Sequence, residues 1–555
     1  MTDHPFLGGR LPYGWEGVPV YWPQRLIHIP SMTSIPRDDS NKYEYGNIMA
    51  REPQYSTLSY TWGRWRIKDG RHATPMLPIQ NTPWDIPAVE ETHFTSEAFL
   101  NVVGKIRDTG VEWVWIDVGC IDQRRGSTQA AVEIGRQASI FKQAHSTFVW
   151  LSQLKTAQLV EALDEILEHG NGLYDYVYLP NSDVDFDGTM QKLQTAYGIL
   201  FSDPWFSSLW TLQEVTIRND AIVLSTEGEP VPWKVQEKEQ RTYLTMLINH
   251  CQNVYDNLET VIERTTVYSR PLPEQTMSAI KRVKELILRV GFYYLFSTNP
   301  NVQYGTARYR TTSHSEDRVY AIMQIYNLVV GKSARPDENP TVEKLVIEFA
   351  GAINRQSAIL GQLFVHTTQP KPGFSWCITE NSIVPDSLLI YRDPTIRATI
   401  ESDLNGNCVA AGNCCKLLTL LDALKQAGDL DLNLAVRGWG LHFKILLDSH
   451  INGTRTFHST SLPHCLERRD HPTRIECENI LVLWLGDTQA SWSVNAKSYT
   501  RQSTALLLNV LDQINNKGVQ YYERLGIVTW TTGGGLPSEP INKISWQWYT
   551  SLILK

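Results

Sequence analysis

The sequence predicts a mixed α/β protein, with a mostly parallel sheet and flanking helices, then a helical segment, then a β-rich C-terminal region. Three observations carry this. Residues 111–123, VEWVWIDVGCIDQ, are rich in β-branched and aromatic side chains and end in a polar cluster, the pattern of a buried strand closing at a sheet edge. Strand-like and helix-like stretches alternate from about residue 50 to 230, as parallel strands with crossover helices require. Beyond about residue 370, short β-prone runs separated by Gly, Asn, Asp and Pro replace that alternation.

At 555 residues the chain exceeds what one hydrophobic core supports. It divides into a proline- and tyrosine-rich arm (1–54), an α/β domain (55–230), a helical extension (231–360) and a β-rich C-terminal domain (361–555). A net charge of −8 with no dense Lys/Arg block argues against a nucleic-acid partner. No apolar run is long enough to span a bilayer. The first thirty residues hold five prolines and no apolar leader core, and the eight cysteines form no CxxC pair, so a cytoplasmic location is expected. Cys414 and Cys415 read as packing, and the 18 tryptophans as core and interface filler.

Taken in order, Arg25–Ile29 is an apolar run suited to an edge strand, and Tyr55–Thr61 alternates as a strand ending at Trp62-Gly63. Residues 64–93 are irregular, with one short strand near Leu77–Ile79. A helix follows over Phe94–Thr109, capped by Thr95 or Ser96, with Leu100, Val103 and Ile106 or Arg107 on its face and Gly110 as its stop. After the strand at 111–116, Gln129–His145 shows a helical stripe through Ala131, Ile134, Ala138 and Phe141, and Thr147–Leu151 is the next strand. Thr156–His169 reads as a helix stopped by Gly170, Gln191–Ser202 as another, and Asp203-Pro204 opens a third through Val215. Asp183, Asp185 and Asp187 mimic the start of a calcium loop but lack its closing glutamate, so a solvated loop is expected. Ala221–Ser225 is a strand, while Met277–Phe296, Asp317–Leu328 and Thr341–Arg355 read as helices, with a linker at Lys332–Pro340. The later strands include Leu432–Val436, Asn479–Leu485 and Gly526–Thr531, and Gly533-Gly534-Gly535 reads as a turn.

The sequence contains no HExxH, GxSxG, Walker A or strand-following GxGxxG, which leaves chemistry that a carboxylate can perform. Asp117, Cys120, Asp122 and Gln123 form the polar cluster after the strand, at the edge where open α/β sheets bind ligands. Glu214 lies four residues after Trp210 and shares its helix face, an arrangement suited to holding a ribose beside a stacked base. The same residues equally suit a structural role, with Glu214 capping a strand or pairing with an arginine. No metal site and no bound cofactor are expected.

Three ordered blocks, LSYTWG (58–63), WIDVGCIDQ (115–123) and WFSSLWTLQEV (205–215), strongly resemble the heterokaryon-incompatibility (HET) domain of filamentous fungi. DRVYAIMQIY (317–326) and YERLGI (522–527) are similar to stretches that often accompany it. The resemblance implies a role in fungal self/non-self recognition and programmed cell death, through a protein partner in incompatibility signalling. HET domains in turn look like distant relatives of TIR domains, which implies a flavodoxin/TIR-like sheet and self-association. It also implies NAD⁺ as a substrate, with Glu214 as the catalytic carboxylate and Ser59, Trp62, Gly63, Asp117 and Asp122 lining its cleft. The chain departs from the HET pattern at Ser208, where an arginine is usual, and at Gln129-Ala130 and Glu133-Ile134. The resemblance thus also admits a non-catalytic adaptor acting through contacts alone.

Overall fold

The computed structural model describes residues 20–67, 74–179, 184–235, 238–267, 272–293, 295, 297–385, 388–426, 443–449, 455–458, 473–493, 498–514, 520–532 and 543–555. Asp183, Leu432–Val436 and Gly533–Gly535 lie outside them. The chain forms two compact units, one of residues 1–296 and 309–339, the other of residues 297–308 and 340–555. The break at Asn339/Pro340 falls inside the expected linker.

The first unit is built on a six-stranded sheet. Its strands are β1 (Arg25–His28), β2 (Thr33–Pro36), β5 (Tyr55–Ser59), β6 (Trp113–Trp115), β7 (Ser146–Trp150) and β8 (Ile222–Leu224), in the order β2-β1-β6-β5-β7-β8. A separate hairpin, β3 (Lys42–Tyr45) and β4 (Ile48–Arg51), lies between β2 and β5 in sequence. β5 pairs in parallel with β6 and β7, and β7 with β8. The four parallel strands therefore run second-first-third-fourth, the doubly wound order in which ligands bind at the C-terminal ends where the winding reverses. The expected edge strand at Arg25–Ile29 is an inner one. β1 lies antiparallel between β2 and β6, and β2, with buried Ser34 and Ile35, is the edge. Leu77–Ile79 forms no strand; Leu77 is buried in a loop tied to the sheet by a bridge from Gln80 to Thr33.

Helix α1 (Ser96–Arg107) is capped by Thr95, whose hydroxyl accepts from Ala98 N. Its inward face is Phe99, Val102, Val103 and Ile106, and Leu100 is exposed. Phe94 and Phe99 pack on Trp150 of β7 with centroids 4.8 and 5.2 Å away, one aromatic cluster of the core. After β6 the polar cluster begins in a single turn of helix, α2 (Asp117–Cys120).

The stretch Gln129–His145 is two helices, α3 (Thr128–Ile134) and α4 (Gln137–Gln143). Gln324 explains the break: its amide donates to Ile134 O and accepts from Ala138 N, satisfying the backbone groups that the interruption frees. Gly170 does not stop α5 (Thr156–Tyr178). It is buried in mid-helix, where an added Cβ would lie 3.3 Å from Val254, so it serves close packing.

Helix α6 (Phe186–Leu200) starts earlier than expected because Asp185 caps it, accepting from Gly188 N. Asp187 accepts from Thr276, and among the described residues no cluster of potential metal ligands is present. The helix expected from Asp203 is split. Residues Pro204–Ser207 form a 3₁₀ turn, Ser208 is extended, and α7 (Leu209–Ile217) follows. The hairpin β9 (Pro232–Val235) and β10 (Lys238–Arg241) carried no signal that we read, and it precedes α8 (Leu244–Val267). α9 (Glu274–Val290) ends at Gly291 in the left-handed region (φ +79), well short of Phe296. Asp317–Leu328 resolves into a turn of α-helix, Asp317–Tyr320, and a 3₁₀ turn, Met323–Tyr326.

The second unit holds the helix Val342–Gln356, capped by Thr341, and an eight-stranded, mainly antiparallel sheet that includes Cys408–Lys416, Ile480–Ser493, Ser498–Ile514 and Gln520–Thr532. Cys414 and Cys415 are buried in it as packing residues. The YERLGI block lies on Gln520–Thr532, where its residues serve the fold. Arg524, fully buried, forms an ion pair with the equally buried Asp448 at 2.6 Å. At Gly526 (φ +145) an added Cβ would meet Leu446 O at 2.2 Å, so only glycine fits.

Candidate active site at the C-terminal edge of the parallel sheet

β5 ends in Ser59, whose hydroxyl accepts from Trp205 Nε1 at 2.7 Å and donates to Glu214 Oε2. Trp205 is fully buried in the 3₁₀ turn before α7, and Asp203 holds that turn by accepting from Trp205 N and Gln153 N, both at 2.9 Å. One indole and one hydroxyl thereby fix the first catalytic candidate against the sheet. Glu214 keeps an intermediate exposure, and among the described residues only Ser59 donates to its carboxylate. Burial pushes its carboxyl up to about 8, with Asp117 adding to the rise and the Ser59 hydroxyl and Arg310 opposing it.

Asp117 follows β6. Its Oδ1 accepts from Tyr60 OH and Val118 N, and its Oδ2 from Trp62 Nε1, each at 2.7 Å. Burial still raises its carboxyl above the ordinary value, against the pull of these donors. The end of β5 therefore holds both carboxylates through successive residues, Glu214 through Ser59, and Asp117 through Tyr60 and Trp62.

The remaining expected residues stand apart from it. Cys120 is 2 % exposed within the hydrophobic core, and burial drives its thiol far up, so it is not a ligand-facing group. Asp122 is taken up by Arg124, which donates through Nε and through Nη2 at 2.6 Å, and by Ser127 Oγ at 2.9 Å. The Arg124 guanidinium holds its carboxyl down at about 2, which makes Asp122 a loop brace. Gln123 donates to Asp117 O and Ile121 O and pins the same turn. Gly63 begins a 3₁₀ turn with open space beside it. Trp210 is directed to Asp317, whose carboxyl its indole helps to lower, although burial raises that group on balance.

One contributor, Arg310, lies where no local sequence pattern marks it. Arg310, 1 % exposed, donates to Ser208 O at 2.9 Å and Thr211 Oγ1 at 2.8 Å, at the start of α7. A guanidinium thus reaches the position where the sequence has Ser208, but from 102 residues downstream. Glu133, 1 % exposed, accepts from Gln24 N and from Trp115 Nε1, and burial pushes it up to about 7.

A cleft of about 350 Å³ lined by Gln54, Arg107, Gly110, Val111, Glu112 and Trp113 lies at the other end of the strands, before β5 and β6 begin. Its place is the N-terminal edge, away from the carboxylate cluster.

Residues 55–214 match the family model described as Heterokaryon incompatibility protein (HET). No curated protein and no solved structure matches the chain. The match opens with the first residue of β5 and closes on Glu214, so it contains the whole Ser59, Asp117 and Glu214 cluster. The similarity to the heterokaryon-incompatibility family is therefore carried by residues 55–214.

Proposed function

We propose that the HET domain works in fungal incompatibility as a cell-death effector that hydrolyses NAD⁺ at the nicotinamide-ribose bond, with Glu214 as the catalytic carboxylate. The observation that carries this reading is Glu214 itself: a partly exposed acid, held through one oxygen by Ser59, at the sheet edge where doubly wound folds bind nucleotides. The C–N bond to nicotinamide breaks with its electron pair leaving on a neutral pyridine. The ribose is left oxocarbenium-like, and water adds to give ADP-ribose and a proton. A carboxylate beside the ribose stabilises the developing charge. Burial keeps Glu214 largely protonated at neutral pH, and the arriving pyridinium favours its ionised form. The rate therefore rises as pH approaches 8. In this reading Ser59 orients Glu214, Asp117 braces the strand ends through Tyr60 and Trp62, and self-association completes the cleft. NAD⁺ is a substrate, and no cofactor is invoked.

The test is nicotinamide release from NAD⁺ by the assembled full chain. Wild type releases it, and Glu214→Ala loses about 10²–10³-fold. Equal, background-level release from both overturns the reading.

A second reading, a non-catalytic adaptor acting through protein contacts, is favoured by the indoles. Trp62 is committed to Asp117, Trp205 to Ser59 and Trp210 to Asp317, so each ring is engaged as a donor within the fold. Under that reading Glu214→Ala changes stability and leaves signalling contacts intact.

A further inference from the structure

We infer that Arg310 is a positioning residue for Glu214, delivered to the HET domain's carboxylate by a segment outside the matched residues 55–214. The geometry is that of a clamp. Arg310 Nη1 donates to Ser208 O and Thr211 Oγ1 at 2.9 and 2.8 Å, and Nη2 to Val290 O at 2.6 Å at the end of α9. Its neighbour Thr311 adds main-chain bonds on the same junction, donating to Ser207 O at 2.8 Å and accepting from Leu209 N at 3.0 Å. Arg64, just after β5, closes the arrangement by donating to Thr311 Oγ1 at 2.7 Å. The extended Ser208 that splits 3₁₀ turn from helix is thereby held on both sides. The direction in which α7 sets out, and so the place of Glu214 at its sixth residue, is fixed from residues 310–311.

Charge points the same way. Arg310 is 1 % exposed and has no salt bridge among the described residues, a costly state for a guanidinium satisfied by carbonyl and hydroxyl dipoles alone. The acid whose charge acts on it is Glu214. The groups bearing on Glu214 are Ser59, Asp117 and Arg310, and those on Arg310 are its uncharged acceptors and Glu214.

This inference rests on the assignment of Glu214 above, but its test uses no NAD⁺, so failure of the nicotinamide assay and failure here are distinguishable. The experiment follows the Glu214 carboxyl by infrared difference spectroscopy against pH in the full chain, with Glu214→Gln identifying the band. Arg310→Met and Arg310→Gln remove the charge, and Arg310→Lys retains it. In whichever neutral variant folds, the Glu214 midpoint rises by about one pH unit, and Lys restores most of it. A folded neutral variant with the wild-type midpoint overturns the inference. So does failure of both neutral variants to fold while Lys folds, because the charge would then be a requirement of folding and not a setting of Glu214.

Discussion

Ser59 donates its hydroxyl hydrogen to Glu214 Oε2, joining the end of the central parallel strand to a helix 155 positions later in the chain. The same oxygen accepts from Trp205, so removing it orphans two groups at once. Ser59→Ala is expected to cost about 1–3 kcal/mol of stability, because a buried indole N–H is left without an acceptor. It also raises the Glu214 midpoint, since the lost bond favoured the ionised form. Urea unfolding at fixed pH checks the first effect and the carboxyl band the second; unchanged stability would mean that Trp205 finds another acceptor.

Two acids with raised carboxyls, the buried Glu133 and the partly exposed Glu214, contribute a stability to the first unit that falls as pH rises. Glu133 is raised from 4.5 to about 7 and Glu214 from 4.5 to about 8, so the folded state keeps protons that the unfolded state has released. Their contribution is fully present below 4.5 and lost as pH climbs through these folded values. Glu133→Gln keeps an acceptor for Gln24 N and has nothing to ionise. Relative to wild type it should gain about 1–3 kcal/mol on going from pH 5 to pH 8. Urea midpoints at the two pH values measure this, and parallel profiles would show that Glu133 ionises freely in the fold.

In the second unit, Asp448 and Arg524 are both inaccessible to solvent and paired at 2.6 Å. Asp448 also accepts from His366 N at 2.8 Å. Asp448→Ala leaves the Arg524 guanidinium without its counter-charge in the interior, with Phe364 O as a remaining acceptor, and is expected to cost about 3–5 kcal/mol. Chemical unfolding followed by the buried Trp530 reads it out, and a loss under about 1 kcal/mol would mean that water reaches the pair.

The parallel sheet was legible because its strands are β-prone and, apart from the alternating Tyr55–Ser59, form short apolar runs, as in WVWI before Asp117. Ser59, Asp117 and Glu214 were legible as a group because they lie within blocks that resemble one family. What escaped depended on distant partners. The interruption at Gly135 exists because Gln324 completes its hydrogen bonds, and the continuation through Gly170 because Val254 packs there. Cys120, Asp122 and Gln123 share one polar-looking cluster, yet a single turn of helix sends the thiol to the core and closes the other two on their own loop. Arg310 follows the family block by so many residues that no local pattern ties it to Glu214.

The chain visits the two units alternately, with 297–308 belonging to one and 309–339 to the other. During synthesis from the amino end, the first unit therefore cannot finish assembling when residue 296 leaves the ribosome, but must wait for residues 309–339, Arg310 among them, to emerge. Until then the junction before α7 lacks its clamp, and the nascent protein carries its carboxylate in an unset position while the rest of the sheet is already available to fold.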